Sequence, residues 1–278
     1  MRSLLPLHWH IVELLVIVAA GVAHFIVVPS NHQRRQTISA LVALAVVTMW
    51  PVGDLAASVS LSVATAQRLV IMLLVAPLLL LGTPIGVYSR VTGPRLVDAL
   101  TRRLAHPGVA IVVVTLLGTL TLAPAIVDWG ARSTVARDLT MVVVLVNGLI
   151  LWVPALGIMP GARRLSPVAR AAYVFASALV VTSLSVVWIF ARHPLYPGLH
   201  HQQALLGISA LTDQQLAGFV AKLGCYLPMW IVAFLMFFHA DDERAPAEAT
   251  PLYWADVERE LLRVDRQRER AIRRHRPQ

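Results

Sequence analysis

The segment LTDQQLAGFVAKLGCYLPMWIVAFLMFF, residues 211–238, places an acid and two amides directly before a long apolar run. The run covers residues 216–238, and Lys222 is the one charged residue in it. About 20 apolar residues are enough for a helix to cross the hydrocarbon core of a bilayer. The segment therefore predicts a membrane-spanning helix with polar side chains at its beginning.

The composition extends this prediction to the whole chain. Hydrophobic residues make up 57% of the 278 residues and charged residues only 14%, whereas soluble domains carry roughly 25% charged residues. The alternation expected of a barrel strand is absent, so the apolar runs predict helices. We expect an all-α integral membrane protein, a seven-transmembrane-helix bundle. The predicted spans are 11–29, 38–57, 69–88, 108–127, 139–158, 168–191 and 216–238.

The distribution of arginine predicts the orientation. Alternate loops and the C-terminal segment hold most of the basic residues, and positive loops stay on the cytoplasmic side. We therefore expect the N-terminus outside and the C-terminus inside, with a transmembrane domain over 1–240 and a charged, helical cytoplasmic tail over 241–278. The net charge of +9 is explained by topology, so nucleic-acid binding is not predicted.

Several histidines fall on the predicted outer side, together with an acid. Imidazole and carboxylate groups are ligands for copper or zinc. The alternative is that these loop histidines are simply solvated. The candidate ligands are His8, His10, His193, His200, His201 and Asp213.

Charged residues within or beside the spans form a second group of candidates. Asp54, Arg68 and Lys222 lie in or next to predicted spans, and an ionisable residue at membrane depth is a functional candidate. Lys222 is also close enough to the outer surface to extend its amine to water.

The segment 213–218 has a structural interpretation. Asp213 is expected to cap its own helix, because a carboxylate accepts hydrogen bonds from free helix N–H groups. Gln214 and Gln215 are then expected in the first turn, at the water interface. Ala217 and Gly218 would allow a neighbouring helix to approach closely.

Four motifs, in this order along the chain, resemble the CtaG family of cytochrome c oxidase assembly factors. They are VAPLLLLGTP (75–84), NGLILWVPALG (147–157), HPLYPG (193–198) and TDQQLAG (212–218). The resemblance covers roughly residues 34–240. Its motif residues, interpreted as structural, are Asp213, Gln214, Gln215, Gly218, Pro77, Trp152 and Pro154.

The resemblance implies a multi-pass bacterial inner-membrane protein that helps a haem–copper oxidase to mature. The implied task is copper delivery to the oxidase on the outer side of the membrane. The implied partners are oxidase subunits or other assembly factors, besides the lipid bilayer.

The chain departs from the metal-ligand pattern that the resemblance implies. The histidines of a His-Met-x-x-His-Met pattern in the third helix fall on Ala64 and Arg68, and its second Met falls on Leu69. The fifth helix offers Met141 without a histidine, and the implied Met-Trp pair after 213–215 is replaced by Ala221 and Lys222.

Three hypotheses follow from this departure. The chain handles copper through the outer histidines, with Met72, Met141, Met229 or Cys225 as further ligands. Alternatively it is a metal-free scaffold or accessory subunit of a respiratory complex. The third is a solute or ion transporter with a polar path through Asp54, Lys222 and Asp213. No acid–base or nucleophile constellation is visible, so an enzyme is not expected.

Overall fold

The structure is a computed structural model that describes residues 17–19, 21–22, 28, 30–49, 51–159, 164–196 and 207–239. Within these ranges the regular elements that follow residue 30 are all helical. They are α1 (Asn31–Thr48), α2 (Val52–Ser58), α3 (Leu61–Gly82), α4 (Ile85–Val91), α5 (Arg95–Leu104), α6 (Pro107–Thr121), α7 (Pro124–Arg132), α8 (Thr134–Leu156), α9 (Pro167–Ile189) and α10 (Ala210–Phe238).

Four of these helices, α3, α8, α9 and α10, are long and apolar enough to cross a membrane. A fifth span results if α5 and α6, which meet at 91°, are counted as one bent element. The helical class is confirmed, and the helix lengths fit a membrane protein. The full set of seven spans and the orientation of the termini stay predictions. The first predicted span, 11–29, lies largely outside the described residues.

Prolines end helices where the hydropathy pattern alone predicts one continuous span. The predicted span 69–88 is replaced by α3, which begins eight residues earlier, and by a separate helix α4 that follows Pro84. Thr83 is extended because the residue before a proline avoids the helical region. The predicted span 38–57 is likewise divided just before Pro51, and the predicted span 108–127 is divided just before Pro124.

Exposed apolar side chains form stripes along the outside of the bundle. Val112, Leu116 and Leu120 on α6 recur every fourth residue and are each more than half exposed. The same spacing of exposed residues recurs on α10 between Leu223 and Ile231. Residues four apart share one helix face, so each stripe is a continuous apolar surface of the kind that faces lipid.

A π-turn in the middle of α3 explains the pairing of two predicted motif residues. Residues Ile71–Val75 are wound as a π-helix, and the N–H of Ala76 bonds to the carbonyl of Ile71. In this register the carbonyl of Met72 would bond to residue 77, but Pro77 has no N–H. Trp152 of α8 supplies the missing donor, because its Nε1 lies 2.9 Å from the Met72 carbonyl oxygen.

Gly148 brings α8 close enough for this bond to form. A Cβ at position 148 would lie 2.9 Å from both the Met72 Cα and the Ala76 Cβ, which is closer than real Cβ atoms approach. The glycine therefore lets α8 lie directly against the π-turn. Around this contact the core is formed by fully buried side chains that include Val75 and Leu151.

We expect Trp152→Phe to destabilise the fold by about 2 kcal/mol, because the substitution leaves the buried Met72 carbonyl without a donor. The midpoint of thermal unfolding of the detergent-purified protein measures this loss. Trp129→Phe is the matched control, because Trp129 is 49% exposed. Equal midpoints for the two variants would contradict the assigned role of Trp152.

Candidate functional site at the Asp213 end of the bundle

The carboxylate of Asp213 lies at the N-terminus of α3. It accepts hydrogen bonds from the Leu61 backbone N–H at 2.6 Å, the Ser60 hydroxyl at 2.8 Å and the Ser62 backbone N–H at 3.3 Å. The Ser62 hydroxyl also donates to it. Asp213 is 0% exposed. A buried carboxylate with several donors at a positive helix end is well stabilised.

This arrangement corrects the expectation that Asp213 caps its own helix. Asp213 lies in the first turn of α10, after the helix has begun at Ala210. Ser209 caps α10, because its hydroxyl accepts a hydrogen bond from the Thr212 backbone N–H at 3.1 Å. Since that position is already filled, the Asp213 side chain is available to cap another helix.

Two neighbouring amides hold the segment that follows α9. The Gln214 Oε1 accepts a hydrogen bond from the Leu195 backbone N–H at 2.7 Å, and the Gln215 Nε2 donates to the Ala191 carbonyl at 3.2 Å. Gln214 is 2% exposed, so its amide is buried by protein, and its place at the water interface stays a prediction. The three polar residues of the motif therefore hydrogen-bond α10 to the N-terminus of α3 and to the segment 191–195.

The predicted close approach at Ala217 and Gly218 is confirmed. Ala217 is fully buried, and a Cβ at position 218 would lie 2.9 Å from the Ser185 carbonyl oxygen and 2.7 Å from an Ile189 side-chain carbon. The small residues bring α10 against the end of α9. This contact places Gln214 and Gln215 within reach of the segment 191–195.

The C-terminus of α6 is held by two further side chains. Arg68 donates to the Thr121 carbonyl at 2.8 Å and to the Thr121 hydroxyl at 2.9 Å. Tyr196 donates to the Leu122 carbonyl at 2.8 Å, and its ring packs edge-on against Trp188. Burial raises the pKa of Tyr196 to about 12, so its phenol stays a donor at physiological pH.

Two small cavities adjoin Arg68. The first has a volume of about 80 Å³, and its lining includes Asn147, Trp188 and Cys225. The second has a volume of about 50 Å³, and its lining includes Arg137. The two linings share residues, so both cavities border the Arg68 side chain. The shared residues are Thr65, Arg68 and Leu122.

Most of the positions that depart from the family pattern line these cavities, and Lys222 does not. Arg68 and Leu69 line the first cavity together with Ala221, and Ala64 and Met141 line the second. A guanidinium is a cation with donors only, so Arg68 opposes a metal ion. Ala64, Arg68, Leu69 and Ala221 offer no ligand atom for copper, whereas Met141 keeps a thioether.

The other charged candidates have separate partners. Asp54, which is 7% exposed, lies 3.8 Å from Arg137, measured from Oδ1 to Nη1. The Lys222 amine lies over the Tyr226 ring, 4.6 Å from its centroid. These contacts give Asp54 and Lys222 neighbours on their own parts of the bundle, and a polar path through Asp54, Lys222 and Asp213 stays a prediction.

The predicted histidine ligands are represented in the described residues by His193 alone, which is exposed. His8, His10, His200 and His201 lie outside the described residues. Within the described ranges, no three His, Cys, Asp or Glu side chains lie close enough together to hold a metal ion. A metal site made of the outer histidines stays a prediction.

One pair of soft sulfur ligands lies inside the bundle. The Cys225 Sγ and the Met229 Sδ are 3.4 Å apart on successive turns of α10, and both residues are buried. Met72 packs against the same core. Thiols and thioethers suit Cu(I), but the pair lies in the packed interior, where buried sulfur side chains also serve as ordinary apolar residues.

The sequence analysis missed the residues that complete the site. Ser60 caps α3, because its hydroxyl accepts a hydrogen bond from the Val63 N–H at 3.2 Å. A serine before an apolar run is a helix-start signal that could have located this end. Asn147, an amide inside an apolar run, is 2% exposed and was also overlooked.

A comparison with known protein families identifies a relationship. The family described as cytochrome c oxidase caa3 assembly factor (Caa3_CtaG) matches residues 29–241. No curated protein and no solved structure matches the chain. The matched residues include Asp213, Arg68 and the linings of both cavities.

We expect Asp213→Asn to destabilise the protein by roughly 3 kcal/mol, because the amide offers one acceptor oxygen and turns an N–H₂ group toward buried donors. Thermal unfolding in detergent measures the change. Asp98→Asn is the matched control, because Asp98 forms an exposed i,i+4 pair with Arg102 at 2.9 Å, and such pairs contribute less than about 0.5 kcal/mol. If both variants unfold at the same temperature, Asp213 does not hold α3.

Proposed function

Because the chain belongs to the family of cytochrome c oxidase caa3 assembly factors, we propose that it assists maturation of a haem–copper oxidase as a metal-free membrane scaffold. Its membership of this family confirms the resemblance inferred from the four motifs. In this proposal it acts in the plasma membrane of a bacterium, with its N-terminus outside, and serves the respiratory chain by binding oxidase subunits or other assembly factors.

The observation that carries the scaffold proposal is the position of Arg68. The resemblance implies a metal-ligand histidine there, and the guanidinium instead adjoins both cavities and bonds to Thr121. Arg68 is half-buried, and its positive charge repels a metal cation. The bundle interior is therefore better suited to holding its helices in place than to carrying copper through the membrane.

The polar side chains at this end act on the chain itself. Asp213, Gln214 and Tyr196 all bond to backbone groups of other segments. They hold a fixed surface made from the end of α9, the segment 191–196 and the start of α10. On that surface Phe190 is 77% exposed, which gives an oxidase subunit an apolar contact within the membrane. This use of the polar groups supports a non-enzymatic role.

Deletion and complementation test the scaffold proposal. We expect loss of the chain to lower the amount of assembled oxidase, measured by native gel and by haem absorbance of the membranes. A variant with alanine at positions 193, 200 and 201 is expected to restore assembly as fully as the wild type. If that variant accumulates normally but fails to restore the oxidase, the metal-free proposal is wrong.

Copper delivery by the outer histidines is a second candidate. It is favoured by the placement of His193, which is exposed two residues before Leu195, where Gln214 fixes the backbone. His200 and His201 follow closely in sequence. Here copper is cargo, taken up and released on the outer side.

The copper content of the detergent-purified chain tests this second candidate. After loading with Cu(I), copper delivery predicts about one copper per chain that is lost in the 193/200/201 alanine variant. Cys225→Ser is the internal comparison, because it removes the soft ligand in the bundle and leaves the histidines intact. Copper at background level in the wild type would exclude delivery and favour the scaffold.

A further inference from the structure

Arg68 carries a positive charge that the described residues do not neutralise. Its guanidinium bonds to Thr121 through two nitrogens, and no carboxylate among the described side chains lies within ion-pair distance. The carbonyl of Thr121 ends α6, and the partial negative charge of a helix C-terminus is only about half an elementary charge. An arginine half-buried among apolar helices is costly unless its charge is compensated.

The two cavities beside Arg68 give an anion room. Their volumes are about 80 Å³ and about 50 Å³, and a cavity needs on the order of 10–15 Å³ of such volume to hold one water molecule. Each cavity thus has room for a ligand of a few non-hydrogen atoms, and neither has room for a nucleotide or a haem. Neither lining contains an aspartate or a glutamate. Arg137, which lines the smaller cavity, is paired with Asp54 and Asp138, so Arg68 is the cation available to an anion among the described lining residues.

Asn147 adds an independent requirement for a ligand. The residue is 2% exposed, and its Nδ2 donates to the Val114 carbonyl at 3.1 Å. Its Oδ1 is buried without a hydrogen-bond partner in the described structure, and the side chain lines the larger cavity. A buried acceptor without a donor is costly. A donor in the cavity, either a water molecule or the O–H or N–H group of a ligand, would satisfy this oxygen. A ligand that binds both Arg68 and Asn147 would carry negative charge and a donor group.

We propose that the two cavities form a binding site for a small monovalent oxyanion that keeps one hydroxyl group, such as hydrogencarbonate. The Arg68 guanidinium binds the charged oxygens, because its parallel N–H groups match a planar oxyanion. The Asn147 Oδ1 accepts the ligand's O–H. This binding activity goes beyond the proposed role in oxidase assembly and does not depend on it.

Titration calorimetry on the full chain in detergent tests the proposal. Sodium hydrogencarbonate is added in a mildly alkaline gluconate buffer without chloride, and sodium formate serves as an anion without a hydroxyl donor. Saturable binding of hydrogencarbonate is expected, with formate at least about tenfold weaker. Absence of saturable binding by the wild type would overturn the proposal. Equal affinity for both anions would overturn the role of Asn147.

Variants then locate the site. Arg68→Gln is expected to weaken hydrogencarbonate binding at least about tenfold, whereas Arg102→Gln, a change at an exposed arginine, leaves it unchanged. Ala221→Leu fills the larger cavity without touching the bonds of Arg68, so it tests the site even if Arg68→Gln fails to fold. Ala66→Leu, at an exposed position of α3, is its control.

Trp188 gives a second readout, because it lines the larger cavity and is 2% exposed. Hydrogencarbonate is expected to change the tryptophan fluorescence of the wild type and to leave that of Trp188→Phe unaltered. Unchanged affinity in both Arg68→Gln and Ala221→Leu would place any binding elsewhere and overturn the proposal. Failure of the oxidase complementation would leave these binding results intact, so the two proposals can fail separately.

Discussion

The bond between the Asp213 carboxylate and the N-terminus of α3 organises the end of the bundle on which the site lies. The first N–H groups of a helix have no partners within the helix, and in an apolar environment this deficit must be met by other parts of the chain. Asp213 meets it from 152 residues away, at 2.6 Å from the Leu61 N–H. Since α10 is thereby fixed to α3, Gln214 and Gln215 stand where they can bind the segment after α9.

The positive charge of Arg68 lies at the C-terminus of a helix, the opposite end from the one that Asp213 binds. Arg68 lies two turns into α3 and bonds to the last residue of α6, where the helix dipole is negative. Together, an acid at a positive helix end and a base at a negative one join α3, α6 and α10 through backbone groups. The two charges differ in how far the described residues compensate them. The Asp213 carboxylate accepts several hydrogen bonds, whereas Arg68 has no carboxylate partner among the described residues and adjoins two cavities.

The sequence predicts the class of this protein well, because long apolar runs and a shortage of charge leave few alternatives to membrane helices. It predicts Gly218 as a packing position for the same local reason. It does not predict which helix Asp213 caps, since that depends on which ends of the bundle coincide in space. Nor does it reveal that Trp152 serves the carbonyl released by Pro77, because each of the two residues looks ordinary without the other.

Helix boundaries depend on neighbouring residues in the sequence, whereas cavities depend on contacts between helices. Pro84 and Pro124 end helices because the residue before a proline avoids the helical region. This effect is local, so the sequence predicts it when prolines are allowed to divide an apolar run. The cavities beside Arg68 depend on side chains from several helices, and no local pattern indicates an empty volume. Position 68 was noticeable as a departure from the family's motif, but the open space beside it was not.

The long separation between Asp213 and α3 also affects how the protein is made. Ribosomes deliver the chain from the N-terminus, so α3 enters the membrane long before the carboxylate that completes its N-terminal end has been synthesised. Until α10 inserts, the N–H groups at Leu61 and Ser62 lack this acceptor. The arrival of α10 thus completes this end of α3, and a nascent chain that stops before Asp213 leaves those N–H groups without the carboxylate.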